Sequence, residues 1–307
     1  MNQQTISISI ISYNRPDDLL ALLQSLSLQN GLDTCLFETL ILNNASTVDY
    51  STIEKYAFEN PKLKINFINS QENLGVARGR NELMKVAKGD LLFEIDDDIV
   101  FVHPDSIIRL SNLFNKPLFI EANTAMITTK VLYFDTKEVQ MTAFPHKKPE
   151  KYLNRNQFLT SYFIGCSHIL KRSILKETGL YPEDFHYGME EYDLGYRILN
   201  AGYTIGYDNE VIVEHKESPF GRQANYKKLQ MQWINKSKVA WRYLPFIYFL
   251  STSLAWGVEY CRKAKGNWSA FFNSLISIAM IPFTEKRKVI SKEALKFMKT
   301  VEARPWF

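Results

Sequence analysis

The sequence predicts an α/β protein: a mainly parallel sheet flanked by helices, followed by a C-terminal helical extension. Two observations carry the sheet. Apolar runs with strand periodicity alternate with runs at helical spacing over the first 216 residues, a rhythm that implies right-handed βαβ crossovers. Three polar clusters, at 12–15, 43–46 and 96–98, each follow a strand-like run, where sheets of this kind hold their ligands. The extension rests on a third observation: beyond Ser218 long uncharged aromatic segments alternate with basic ones.

Taken in order, Ile6, Ile8 and Ile10 alternate with Ser7 and Ser9 in a strand that ends near Ser12. Pro16 suits a first helical turn, and Leu19, Leu22, Leu23 and Leu26 form one helical face. A strand at Leu40–Leu42, a helix around Tyr50–Phe58 and a strand at Leu63–Ile68 follow. Val76–Lys88 reads as a helix closed by Gly89, and Leu91–Ile95 as a buried strand. A helix at Pro104–Asn115 and a strand near Ala125–Leu132 precede a polar stretch at 135–157. The pattern resumes with Phe163–Leu170, a short helix at Arg172–Thr178, a helix at Glu190–Asn200 stopped by Gly202, and strands at Tyr203–Tyr207 and Val211–Glu214.

The 307 residues are 46% hydrophobic and 23% charged, enough apolar side chain for a sizeable core, which excludes disorder, collagen and coiled coil. The net charge of +4 hides an asymmetry: residues 1–216 hold 21 Lys+Arg against 28 Asp+Glu, and residues 217–307 hold 16 against 5. Cys35, Cys166 and Cys261 are widely spaced, so neither a disulfide framework nor a structural zinc site is indicated and a reducing compartment is expected. The first residues lack the basic and apolar regions of a signal peptide.

Two regions follow, an α/β unit over 1–218 and a basic, apolar helical extension over 219–307. In the extension, Tyr243–Val258 and Trp268–Phe283 each run sixteen residues without a charge, bounded by Arg262, Lys263, Lys265, Lys286, Arg287 and Lys288. A bilayer core needs roughly 20 apolar residues, so these fit interfacial helices on an anionic membrane surface, at the inner face of the cell membrane, better than spanning ones. Packing on the first unit, a homo-oligomer interface or nucleic-acid binding are the alternatives, the last disfavoured by the apolar content.

Asp96, Asp97 and Asp98 close an apolar strand, and like charges so near repel unless a cation neutralises them. Mg2+ or Mn2+, bound by one or two carboxylates and by phosphate oxygens, fits such a cluster; a solvated acidic turn is the simpler reading.

The motifs in sequence decide between these. Ile11-Ser12-Tyr13-Asn14-Arg15-Pro16, Leu42-Asn43-Asn44-Ala45-Ser46-Thr47, Asn73-Leu74-Gly75-Val76-Ala77-Arg78-Gly79-Arg80-Asn81, Ile95-Asp96-Asp97-Asp98, Gly188-Met189-Glu190-Glu191-Tyr192-Asp193-Leu194-Gly195-Tyr196-Arg197 and His215 fall in the order and at the spacing of one family. From about Ile6 to Ser218 the chain resembles the family 2 glycosyltransferases of the GT-A, Rossmann-like fold, which move a sugar from a nucleotide donor with inversion at the anomeric carbon.

That resemblance implies roles. Ser12, Tyr13 and Arg15 would line the nucleoside pocket, Gly75 would permit close backbone approach, and Arg80 would meet the nucleotide or its phosphates. Asn43 stands where the family usually carries an aspartate for the base, a departure that leaves cytidine open beside the expected UDP- or dTDP-sugar. Asp98 would bind Mn2+ or Mg2+ directly and Asp96 the ribose or a metal-bound water, with His215 completing the coordination. Glu191, with Glu190 as the neighbouring candidate, would be the catalytic base, and Asp193 would bind the acceptor, a cell-surface glycan or lipid-linked molecule. A non-catalytic sugar- or nucleotide-binding module is the rival reading; a nucleotidylyltransferase is disfavoured because Tyr13-Asn14-Arg15-Pro16 is not a Gly-rich phosphate loop.

Overall fold

A computed structural model of the chain describes residues 4–217, 225–264 and 267–304. Nine strands form one sheet. In chain order they are β1 (Ile6–Ser12), β2 (Leu36–Asn43), β3 (Ile65–Asn69), β4 (Leu91–Asp96), β5 (Ile99–Phe101), β6 (Thr124–Tyr133), β7 (Gln157–Thr160), β8 (Ser167–Lys171) and β9 (Thr204–His215). Their spatial order is β3-β2-β1-β4-β8-β6-β9-β5, with β7 also paired to β9.

The first half matches the expected crossovers. β1 pairs in parallel with β2 and β4, and β2 with β3. Ile6, Ile8 and Ile10 are buried, and so are Ser7 and Ser9 on the opposite face, because helices cover both sides of a central strand. Ser7 is satisfied by donating to Glu38 Oε1 at 2.7 Å. The helix Pro16–Ser27 buries Leu19, Leu22, Leu23 and Leu26, the stripe its spacing predicts.

The second half is mixed rather than parallel. β8 runs antiparallel to both β4 and β6, whereas β6 and β9 are parallel. β5, which the sequence reading did not identify, follows β4 through the aspartate turn and pairs antiparallel to β9, opposing Ile99 to His215. With no helix between β4 and β5 there is no chain for a parallel crossover. The two strands expected at 203–214 are a single strand interrupted by a shift of register. Asp208 resembles a turn residue in sequence but is buried against Lys116 Nζ at 2.5 Å, which lets the strand continue. The polar stretch at 135–157 contains only a 3-10 turn and the helix Pro149–Tyr152 before β7.

Beyond the undescribed residues 218–224, where the expected boundary falls, come the helices Asn225–Tyr243, Phe246–Lys263, Trp268–Thr284 and Lys292–Thr300. They share one hydrophobic cluster with the first unit: Trp233, Val239, Ile281 and Met298 join Leu194 and Ile198 of the helix Glu190–Asn200. The two uncharged segments bury one face each, through Phe249, Thr252 and Gly257 and through Ala270, Ser274, Ile278 and Ile281. Their other faces expose Leu254, Val258, Phe272, Ile276 and Phe283. No described helix is long and apolar enough to cross a membrane.

Trp233 is the joint of this arrangement: 1% exposed, it packs on Tyr260 and Phe271 and donates its indole N–H to the Ser253 carbonyl at 2.8 Å. Trp233→Ala should destabilise the chain by about 3–5 kcal/mol, read as a lower urea midpoint at unchanged far-ultraviolet dichroism at zero denaturant. A midpoint like the parent's would mean that these helices are anchored elsewhere.

Candidate active site

The carboxyl ends of β1 and β4, the start of the helix Gly75–Val86 and the end of β9 surround a cleft of about 700 Å³. Its wall includes Tyr13, Arg15, Gly75, Arg80, Asp96, Asp98 and His215, all expected from the sequence. Register explains the meeting of His215 with the aspartates: opposing it to Ile99 sets it beside Asp98, and the backbone N–H of Lys216 donates to the Asp98 carbonyl at 3.0 Å.

One ligand atom each of Asp96, Asp98 and His215 lies within 4.8 Å of the others, a grouping that could hold a divalent ion. The imidazole is oriented for it. Gln140 Oε1 lies 2.9 Å from Nδ1, which fixes the proton there and turns Nε2 toward Asp98 Oδ1 at 3.1 Å. Burial opposes the charged form of His215, but hydrogen bonds to Asp98 and Cys166 outweigh it and raise the group to about 11. Two carboxylates and an imidazole nitrogen form a donor set that Mn2+ accepts, so the residues fit a divalent cation. Arg15 Nη1 reaches the Asp97 carboxylate at 2.9 Å and that of Asp98 at 3.3 Å. Burial, and then the charge of Asp98, pushes Asp97 up to about 7 against the pull of Arg15.

Gly75 has φ +72, and a Cβ there would fall 2.4 Å from the His186 carbonyl oxygen. Its glycine therefore admits the protein's own 186–188 loop, where the sequence reading expected a ligand. Arg80 is buried between the two acidic groups, its Nη2 donating to Gly165 O at 2.7 Å and to Asp96 at 3.3 Å, its Nη1 4.0 Å from Glu191 Oε1. Burial alone would lower its pKa, but Tyr181, Glu94, Asp96 and Glu191 raise it.

Glu190 and Glu191 open the helix Glu190–Asn200, whose N-terminus favours their ionised forms. Glu190 is buried, and among the described residues its Oε2 has no hydrogen-bond partner. Glu191 is partly exposed beside Arg80. Both are pushed above the usual carboxylate range by burial, Glu190 further by the charge of Glu191, while Arg80 pulls Glu191 back. Gly165 makes this possible, since a Cβ there would stand 2.3 Å from Glu191 Oε1 and 3.1 Å from Arg80 Nη1.

Five expected residues are not part of the cleft wall: Glu190 and Glu191, which stand behind Arg80, and Ser12, Asn43 and Asp193. Ser12 is buried with its hydroxyl 2.7 Å from that of Tyr50, behind the cleft. Asn43 spends its amide on the loop, accepting from Ser46 N–H at 3.0 Å and donating to Asn69 at 3.0 Å, while Asn44 lines the cleft. Asp193 is a correction. It is buried, receives Arg197, Arg242 and Tyr243, and so ties helices together with no oxygen left for an acceptor. The sequence reading missed Asn73, His186, Tyr187, Gln140 and Gly165, of which only Asn73 sat inside a recognisable motif.

A doubly wound sheet with this carboxylate and histidine cluster at its strand ends defines a glycosyltransferase of the GT-A fold. The chain belongs to the family described as Glycosyl transferase family 2, whose sequence model matches residues 7–179, more than half its length. It is 28% identical over 185 residues to an uncharacterized protein of Haemophilus influenzae, a match covering 59% of this chain and 95% of that one. An uncharacterized glycosyltransferase of Methanocaldococcus jannaschii, MJ1057, is 23% identical across 92% of this chain and 91% of its own. Among solved structures, GalNAc-T7 with UDP, GalNAc and Mn2+ superposes with a TM-score of 0.65 at 17% identity, covering 81% of this chain and 50% of that one. Staphylococcus aureus TarS in complex with UDP-GlcNAc gives 0.61 at 13% identity, over 98% and 89%.

Asp98→Asn and His215→Ala should each weaken Mn2+ binding at least about tenfold, measured by calorimetric titration of the metal alone. Undiminished affinity in either variant would remove that residue from the donor set.

Proposed function

We propose that this glycosyltransferase moves a sugar, with inversion, from a UDP- or dTDP-sugar to a glycan or lipid-linked acceptor of the cell surface. The observation that carries this reading is the opposition, across Arg80, of the Asp96, Asp98 and His215 cluster to the partly exposed Glu191. Neighbours of the same fold solved with UDP-GlcNAc and with GDP-Man and Mn2+ support a nucleotide-sugar donor.

In this mechanism Tyr13 offers its ring to the base, and Arg15 holds Asp97 and Asp98 in place. Asp96, Asp98 and His215 would hold a divalent cation, which would supply positive charge opposite the departing diphosphate. Glu191 accepts the proton of the acceptor hydroxyl as that oxygen attacks the anomeric carbon. Burial favours the protonated form of Glu191 and Arg80 pulls it back toward the ionised form, so the two together set the base strength. Glu191→Gln should lower kcat by about a thousandfold or more while UDP affinity stays within about threefold. A base acts ionised, so activity is present above its pKa and lost as pH falls through it. With that pKa raised by burial, the acid limb of kcat/KM should lie above the ordinary glutamate range, and Arg80→Gln, which removes the neighbouring positive charge, should move it to still higher pH. A limb that stays in place would separate Arg80 from the base.

The exposed apolar faces of Phe246–Lys263 and Trp268–Thr284, flanked by exposed Arg262, Lys263, Lys286 and Lys288, fit an anionic membrane surface. The enzyme would there work peripherally, at the inner face of the cell membrane. Co-sedimentation with phosphatidylglycerol vesicles should fall at least about fivefold in Leu254→Glu/Phe272→Glu and in high salt. Equal sedimentation with neutral vesicles, or none at all, would overturn this part.

A further inference from the structure

One buried cation beside the proposed base has no assigned task. Lys236, on the helix Asn225–Tyr243, is 8% exposed, and among the described residues no carboxylate, carbonyl or hydroxyl oxygen accepts a hydrogen bond from its ammonium. Among the described residues its close contact is aromatic: Nζ lies 3.1 Å from the centre of the Tyr192 ring, the residue next to Glu191. Tyr192 in turn stacks on Tyr162 with centroids 5.2 Å apart, and Lys147 Nζ lies 5.4 Å from the Tyr162 ring. Two tyrosine rings thus carry a lysine each. Arg304 lines the same small recess as Lys147, Tyr162 and Tyr192, and it makes no ion pair among the described residues.

Acidic groups nearby do not answer this charge. Glu191 attracts Lys236 but lies beyond ion-pair distance, being 4.0 Å from Arg80 instead. Glu302, at the recess, is taken by Lys148, Lys151 and Tyr152. Burial, and then repulsion by Lys147, holds the Lys236 amine well below its ordinary value. An ammonium so largely buried, with no protein oxygen to accept from it, is unfavourable in the free protein, and an anion bound there reduces the penalty.

We propose that Lys236, together with Lys147 and Arg304, receives an anionic group of the acceptor, a phosphate or a carboxylate, close to the hydroxyl that Glu191 deprotonates. The inference rests on the transferase reading and names its acceptor class. A neutral glycan leaves these cations unanswered, whereas an anionic polymer or a lipid-linked phosphate satisfies them and is held with its hydroxyl toward Glu191.

The test uses the full chain titrated with inorganic phosphate and with acetate, in the presence and absence of UDP and Mn2+ so that donor-site binding is separated. Phosphate or acetate should bind the parent protein saturated with UDP, at least about tenfold more weakly in Lys236→Met, with Lys236→Arg close to the parent. Binding of one anion over the other tells which acceptor group is meant. Lys236→Met should melt at or above the parent temperature, because it removes an unanswered buried charge; a cation with a structural task would show the opposite. Neither anion binding the parent, or both binding Lys236→Met as well, would overturn the proposal. A parent protein that binds phosphate through Lys236 but never binds UDP would instead sink the transferase reading.

Discussion

Negative charge crowded at the end of β4 is the constraint around which the molecule is arranged. Asp96, Asp97 and Asp98 sit at the end of a buried strand, where repulsion between them is poorly screened. Cations from three different elements meet them: Arg80 meets Asp96, Arg15 meets Asp97 and Asp98, and His215 meets Asp98. Those cations arrive from the helix Gly75–Val86, the loop after β1 and the end of β9. The strand order brings them together by setting β1 next to β4 and folding β5 against β9.

A second layer supports the first. Glu94, buried on β4, accepts from Tyr181 at 2.7 Å and pairs with His168 at 2.8 Å, and its charge together with Tyr181 helps keep Arg80 ionised. The C-terminal helices then brace the acidic helix that faces Arg80. Asn235 donates to the carbonyls of Tyr187 and Gly188 immediately before Glu190, and Arg242 clamps Asp184, Asp193 and Glu285. The extension is therefore part of the scaffold on its inner face, while its outer face stays apolar and exposed.

Legibility followed distance along the chain. The isoleucines of β1, the leucine stripe of Pro16–Ser27 and the aspartate triplet are local patterns of period 2, period 3.6 and charge, and each was readable. β5 was not, because three residues after a turn have no period to detect. The break expected within 203–214 is absent, because Asp208, between the two expected strands, is buried against Lys116, ninety-two residues away. Asp193 shows the same limit from the other side: a carboxylate two residues from Glu191 looks functional until Arg242 and Tyr243 are found on it.

By itself the sequence determined the family, the strand-end clusters and the chemical types that could hold a metal or accept a proton, because these are written in short stretches of chain. Only the tertiary structure decided that Asn44 rather than Asn43 faces the cleft, that Gly165 makes room for Glu191 beside Arg80, and that Lys236 from the extension lies over Tyr192 without an acceptor. The reason is physical. Which side chains meet depends on register and packing between distant segments, and a carboxylate or an ammonium acquires its role from the charges that packing sets around it.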